Sequence, residues 1–229
     1  MVVAIDGPAG SGKSTVARTC AESLGFLYVN SGELYRAVTF TALERLEDPS
    51  ALDAVETMAE DISLEVTQDG IVVDGILRSD ELHSSEVDRW VSQHSGVPRI
   101  REIVNAELRR AVGRHNLIVE GRDIATVVFP DAEIKIYLDA DVETRAQRRY
   151  RQRRGAETVD ASAGLEELRR TIAERDERDR KKQQGALRMA EDAVYLDTSG
   201  LTITEVCAKV LDTIQRQYHN QESQKHHGR

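Results

Sequence analysis

The feature that most constrains this chain is Gly7-Pro8-Ala9-Gly10-Ser11-Gly12-Lys13-Ser14, which satisfies G-x-x-x-x-G-K-[ST] at every fixed position. A short apolar run, Val2–Asp6, precedes it and an amphipathic helical pattern, Lys13–Leu24, follows it. Strand, glycine-rich loop and helix in that order form a cradle for phosphate. The glycines permit a turn in which successive backbone N–H groups converge on anionic oxygens. The helix N-terminus adds partial positive charge. Residues Gly7 to Thr15 are therefore expected to bind a nucleoside triphosphate, with Lys13 reaching the β- and γ-phosphates and Ser14 holding Mg²⁺.

The rest of the chain supports the fold this motif requires. Apolar runs at Val2–Asp6, Phe26–Val29, Leu117–Glu120, Ile134–Leu138 and Ala193–Leu196 read as buried strands. Helical patterns at Lys13–Leu24, Gly32–Leu46, Val142–Arg154 and Thr202–Tyr218 lie between or after them. That alternation predicts a three-layer α/β/α fold of the P-loop NTPase kind, built on a five-stranded parallel sheet. The rhythm breaks between residues 50 and 113. There Ile62–Thr67, a Gln68-Asp69-Gly70 turn and Ile71–Asp74 predict a hairpin, and Val97-Pro98 opens a helix. This segment reads as a small α+β insert on a core of residues 1–49 and 114–219, with a lid near 150–165. The polar, aperiodic residues 220–229 read as a disordered tail.

Composition narrows the function. The longest apolar runs fall well short of the roughly 18 residues a membrane span needs, and no secretory leader is recognisable, so a cytoplasmic protein is expected. Cys20 and Cys207 form no metal-ligand or redox pattern. Net charge is −9, which argues against a broad nucleic-acid surface. Between Arg145 and Lys182, however, eleven Arg, two Lys and eight acids leave a local balance of +5, against −14 for the remainder. Such a concentration of arginine fits a small, highly anionic ligand.

A kinase for a phosphorylated acceptor needs a second anion site facing the first. Asn30-Ser31-Gly32-Glu33-Leu34-Tyr35-Arg36 and Gly121-Arg122-Asp123 each follow a predicted strand, and ligands of open parallel sheets bind beyond strand carboxyl ends. Ser31 suits a helix N-cap there. Arg36 and Arg122 then project toward the Gly7 loop. The ordered set G-P-A-G-S-G-K-S-T, N-S-G-x-L-Y-R, P-R-I-R, E-G-R-D-I-x-T-V-V-F-P-D-A and R-D-x-x-D resembles the bacterial cytidylate (CMP/dCMP) kinases, over nearly the whole chain from Val2 to about Tyr218. The Gly121–Ala132 segment is its most specific part.

The resemblance implies ATP:CMP/dCMP phosphotransfer and assigns residues to it. Ser31, Arg36 and Arg122 would surround the acceptor phosphate. Ser92, Arg101 and Asp123 would line the cytosine, with Arg175, Asp179 and Lys182 at the sugar and base. Lys13, Arg122 and the lid arginines, Arg148 among them, would stabilise the transferring group. The family usually shows Ser and Arg where this chain has Arg180 and Lys182, Gly where it has Ala125, and often Asp at Asn30. Lysine cannot reproduce a planar, bidentate arginine contact. On the residues alone, Arg175, Asp179 and Lys182 share one helical face, where a solvent-exposed Arg175–Asp179 ion pair is an equally good reading. No guanine-specific Asn-Lys-x-Asp segment is present. The competing expectations are a kinase for AMP, UMP, shikimate or gluconate, a regulatory nucleotide switch, or RNA binding through residues 145–182. A monomer is the default for this architecture.

Overall fold

A computed structural model describes residues 1–154 and 161–227, with side chains described for 1–151 and 164–218. Five strands form one parallel sheet in the order β2-β6-β1-β7-β8. They are β1 (Val2–Asp6), β2 (Leu27–Asn30), β6 (Leu117–Gly121), β7 (Ile134–Asp139) and β8 (Val194–Asp197). The central strand β1 pairs with β6 through Val2↔Leu117 to Asp6↔Gly121 and with β7 through Val3↔Ile134 to Asp6↔Tyr137. Both faces are covered, which is why these strands read as continuous apolar runs rather than alternating ones. Val3, Ile5, Ile118 and Ile136 pack with α1 (Lys13–Leu24) and α8 (Ile203–His227), burying Val16, Cys20, Val210 and Ile214.

The opposite face, with Val2, Ala4, Leu117 and Val119, packs against α2 (Ser31–Arg45). The same apolar cluster continues without a break into the insert. It takes in Val55 and Met58 of α3 (Leu52–Asp61), Leu64 of β3 (Leu64–Thr67) and Ile71 and Val73 of β4 (Gly70–Val73). It also holds Ile100 and Leu108 of α5 (Pro98–Val112). The expected hairpin is present, pairing Leu64↔Val73 through Thr67↔Gly70. A third strand, β5 (Ile76–Arg78), joins it through a two-residue turn at Asp74-Gly75, and a 3₁₀ turn (Asp80–His83) leads to α4 (Ser85–His94). The sequence reading missed β5 because its Ile76 and Leu77 are exposed and give no alternation.

Three other expectations are corrected. The N-cap of α2 is Asn30, whose side chain accepts from the Gly32 amide at 2.9 Å, while Ser31 instead donates to the Glu120 carbonyl at 2.8 Å. The helix α8 continues to His227, so Asn220–His227 is helical rather than irregular. Gln, Glu and Lys in that stretch are good helix formers even without an apolar stripe. After α6 (Val142–Arg154), the helix α7 (Ala161–Lys181) already includes 161–164 of the expected mobile stretch, whose residues 155–160 lie outside the described residues. Among the described residues no helix is long and apolar enough to cross a membrane.

Candidate active site

The glycine-rich loop links β1 to α1 and is shaped by backbone that other residues resist. Gly7, Gly10 and Gly12 have φ of 151°, 77° and 94°, and a Cβ at Gly7 would overlap the Leu138 carbonyl oxygen. No side chain caps α1 and its first turn holds no acid, so the first amides face the loop unanswered. Inside the loop, Ser11 Oγ is buried and has no hydrogen-bond partner. Such a group calls for an acceptor from outside the fold. Lys13 is buried, donates to the Pro8 carbonyl at 2.8 Å and is pushed down to about 7 by burial and then by the charge of Arg122. Ser14 and Thr15 are exposed at the start of α1.

Arginines from α6 brace this loop. Arg145 is buried and donates to the carbonyls of Ala140 at 2.9 Å and Ala9 at 3.0 Å. Its Nη2 stands 2.6 Å from Oδ2 of buried Asp176 on α7, as an ion pair rather than an aligned hydrogen bond. Arg148 donates to the Ser11 carbonyl at 3.2 Å, to Thr198 Oγ1 at 2.9 Å and to the Thr198 carbonyl at 2.6 Å. Arg148 therefore lies against the loop and the turn after β8 instead of extending freely from a lid. Arg145 was expected only as one of the lid arginines, and Asp176 and Thr198 were not singled out from sequence, where a single side chain carries no sign of which backbone it will meet.

Across the sheet, the segment after β6 is positioned from two sides. Asp6, at the end of β1, accepts from the amides of Ile124 at 2.9 Å and Ala125 at 2.8 Å. Burial raises its carboxyl to about 6 against those two hydrogen bonds. Arg109 of α5 donates to the carbonyls of Val128 at 3.1 Å and Val127 at 3.2 Å. Between these anchors the chain makes a π-helical turn, Ile124–Val128, a form that recurs at functional sites. It holds Arg122 and Asp123 at the carboxyl end of the sheet.

Most residues expected for an acceptor meet here, each with a partner. Arg122 Nε reaches Asp179 at 3.1 Å. Asp179, not Arg175, also takes Lys182 at 3.5 Å. Burial pushes the Asp179 carboxyl up, but the charges of Arg122 and Lys182 outweigh it and hold it below its usual range. The solvent-exposed Arg175–Asp179 pair is therefore not formed. Arg175 makes no ion pair with a described residue, and crowding by protein and then by Arg122 lowers its pKa. Buried Arg101 pairs with buried Asp123 and lies over the Tyr35 ring, 5.5 Å to its centre. Burial raises Asp123 against the charge of Arg101. Arg36 donates to Asp88 at 2.5 Å and to the Leu82 carbonyl at 3.0 Å.

Ser92 stands apart, with its side chain exposed on α4 and no hydrogen bond to its hydroxyl among the described residues. Ser95, one turn on, is the serine of this cluster: its carbonyl accepts from Arg101 at 3.3 Å and its hydroxyl from Lys182 at 3.5 Å. Gly185 closes over the same pair. It has φ of 67°, and a Cβ there would overlap the Arg101 guanidinium. Donor and acceptor sides are within electrostatic reach, since the charges of Arg122 and Arg175 both bear on Lys13.

A phosphate loop facing a second arginine-lined anion site on an α/β/α sheet defines a P-loop kinase acting on a phosphorylated small molecule. Comparison with known proteins makes the class specific. The family model described as "Cytidylate kinase" matches residues 3–216. The cytidylate kinases of Streptococcus pneumoniae strains 70585 and ATCC BAA-334/TIGR4 are each 39% identical over 215 residues, covering 91% of this chain and 94% of theirs. The chain belongs to the cytidylate kinase family, and its activity is ATP-dependent phosphoryl transfer to CMP or dCMP. An uncharacterised protein from Eubacterium ventriosum shares the fold at a TM-score of 0.51 and 12% identity, covering 94% of this chain and 98% of that one.

Proposed function

We propose that catalysis rests on two anion sites that share the carboxyl end of the sheet, with the acceptor held by Arg36, Arg122 and Arg175 and the donor by Gly7–Thr15. The observation that carries this is the Arg122–Asp179 pair at the carboxyl end of the sheet, across from the loop that holds Lys13, on which the charges of Arg122 and Arg175 both bear. A nucleoside monophosphate with a second pKa near 6 is mostly dianionic at neutral pH, so the attacking oxygen requires no general base. The acceptor phosphate oxygen forms the new P–O bond, the β–γ bridging bond breaks, and ADP leaves. Lys13 and Arg122 neutralise the equatorial oxygens, and Arg148 adds its charge beside Ser11 and Gly12. A bound polyphosphate raises the depressed pKa of Lys13 and restores its proton. Positioning alone contributes on the order of 7–11 kcal/mol.

Arg101 and Asp123 are the groups suited to a cytosine edge, with the carboxylate accepting from the exocyclic amine. Ser95, Ser31, Asp179 and Lys182 complete the acceptor side. Ser14 would hold Mg²⁺, which supplies charge neutralisation on the β- and γ-phosphate oxygens when bound. One hydroxyl with phosphate oxygens and water suits that ion, which does not need a protein cage. None is formed: among the described residues no three His, Cys, Asp or Glu groups cluster to hold a metal. All proposed site residues come from one chain, so a monomer suffices, and a cytoplasmic location fits the substrates.

The test is ADP release from Mg-ATP with CMP, dCMP, UMP, AMP and GMP offered separately. Fast release with CMP and dCMP alone is expected. Equal slow release without any acceptor would make the protein a nucleotide switch instead.

A further inference from the structure

The acceptor-side arginines differ in what holds them. Arg122 is tied to Asp179, a buried carboxylate on α7. Arg36 is tied to Asp88, whose side chain is 58% exposed on α4. Its two terminal nitrogens are both occupied from the insert, Nη2 by Asp88 at 2.5 Å and Nη1 by the Leu82 carbonyl at 3.0 Å. Those are the nitrogens an arginine uses to grip a phosphate through two oxygens. The charges of Asp88 and Arg36 both bear on Arg175.

We propose that Asp88 is an internal competitor for the acceptor phosphate: it occupies Arg36 in the free enzyme and is displaced when the monophosphate binds, so that it sets the acceptor affinity. The proposal rests on the reading of Arg36 as a phosphate ligand. The exchange favours the ligand on two counts. A dianion draws more strongly than a monoanion on a site with three arginines, and an exposed carboxylate returns to water with little penalty. Exposed ion pairs are weak, so the competition costs the ligand a small factor rather than orders of magnitude. Asp88 is thus an affinity-setting residue, not a catalytic one.

Calorimetric titration of CMP into the full chain without ATP reads the affinity directly. Asp88→Asn keeps the shape and removes the charge, and should lower the Kd for CMP about two- to five-fold. Glu86→Gln, an equally exposed acid on the same helix, should leave it unchanged and so separates exchange at Arg36 from general charge. In an Arg36→Lys or Arg36→Gln background CMP should bind more weakly, and in the Arg36→Gln background Asp88→Asn should have no further effect. An unchanged or raised Kd in Asp88→Asn overturns the competitor role, as does an equal gain in Glu86→Gln. If Arg36→Lys and Arg36→Gln both bind CMP normally, the underlying reading of Arg36 fails instead.

Discussion

The proposed donor and acceptor halves of this site carry similar chemistry but are built in opposite ways. On the donor side, one contiguous loop is fixed by three glycines and by Arg145 and Arg148, whose hydrogen bonds to the loop go to its backbone carbonyls. Its phosphate-binding groups, the α1 amides and Ser11 Oγ, are left without partners. On the acceptor side the groups come from α2, the segment after β6, α5 and α7, and nearly every cation already holds a carboxylate. The donor cradle is preorganised. The acceptor cradle ties four of its five cations to three carboxylates and must exchange internal partners for the ligand. For a kinase that must avoid hydrolysing ATP, this makes a complete site conditional on the acceptor.

The comparison can be broken first on the donor side. Arg145→Met leaves Asp176 buried without its cation, which should destabilise the fold by about 3–5 kcal/mol in chemical denaturation. Replacing both, as Arg145→Met with Asp176→Leu, should recover most of that loss. A small effect of the single change would show that the loop does not depend on this brace. Lys13→Met should lower kcat by about 10²–10³-fold, the usual effect of losing a preorganised charge. It should leave the ligand-free fold as stable or more so. The unfolded chain keeps the lysine proton to near 10.5 and the folded chain loses it near 7. The unfolded state therefore binds more protons between those values, and stability should rise with pH across that window. Lys13→Met should abolish the rise.

Acceptor-side changes should be smaller and appear in KM. Arg101→Lys replaces a planar fork facing Asp123 with a point charge, at about 1.5–3 kcal/mol in kcat/KM for CMP. The KM for ATP should be unchanged. Gly185→Ala forces a left-handed backbone onto a residue with a Cβ and displaces the Arg101 guanidinium, costing about 1–2 kcal/mol. Its effect should also fall on CMP rather than ATP, and an equal effect on both would mean a general loosening.

The same contrast governs how much could be read in advance. The phosphate loop is local: its residues are consecutive and its flanking strand and helix are visible in the apolar pattern. The five-stranded sheet was legible for the same reason, since Val2–Ile5 and Leu117–Val119 are apolar on both faces. The acceptor side depends on long-range encounters. Nothing near Asp6 announces that it will hold the amides of Ile124 and Ala125, and nothing near Gly185 tells that a guanidinium will lie beneath it. Ser92 was assigned from the resemblance alone, and it is Ser95, just past the end of α4, that meets Arg101. The pairing of Asp179 with Arg122 was hidden by the more obvious helical spacing to Arg175.

Hydrogen exchange with and without each ligand tests the central contrast most directly. A non-hydrolysable ATP analogue should slow exchange at residues 7–16 while leaving residues 80–95 and 122–128 unchanged. CMP alone should change exchange at 80–95 and 122–128, where Asp88, Ser95 and Asp123 give up or alter their partners. If CMP leaves those segments as they were, or if the ATP analogue alone reorganises them, the acceptor site is as preformed as the donor loop and the account is wrong.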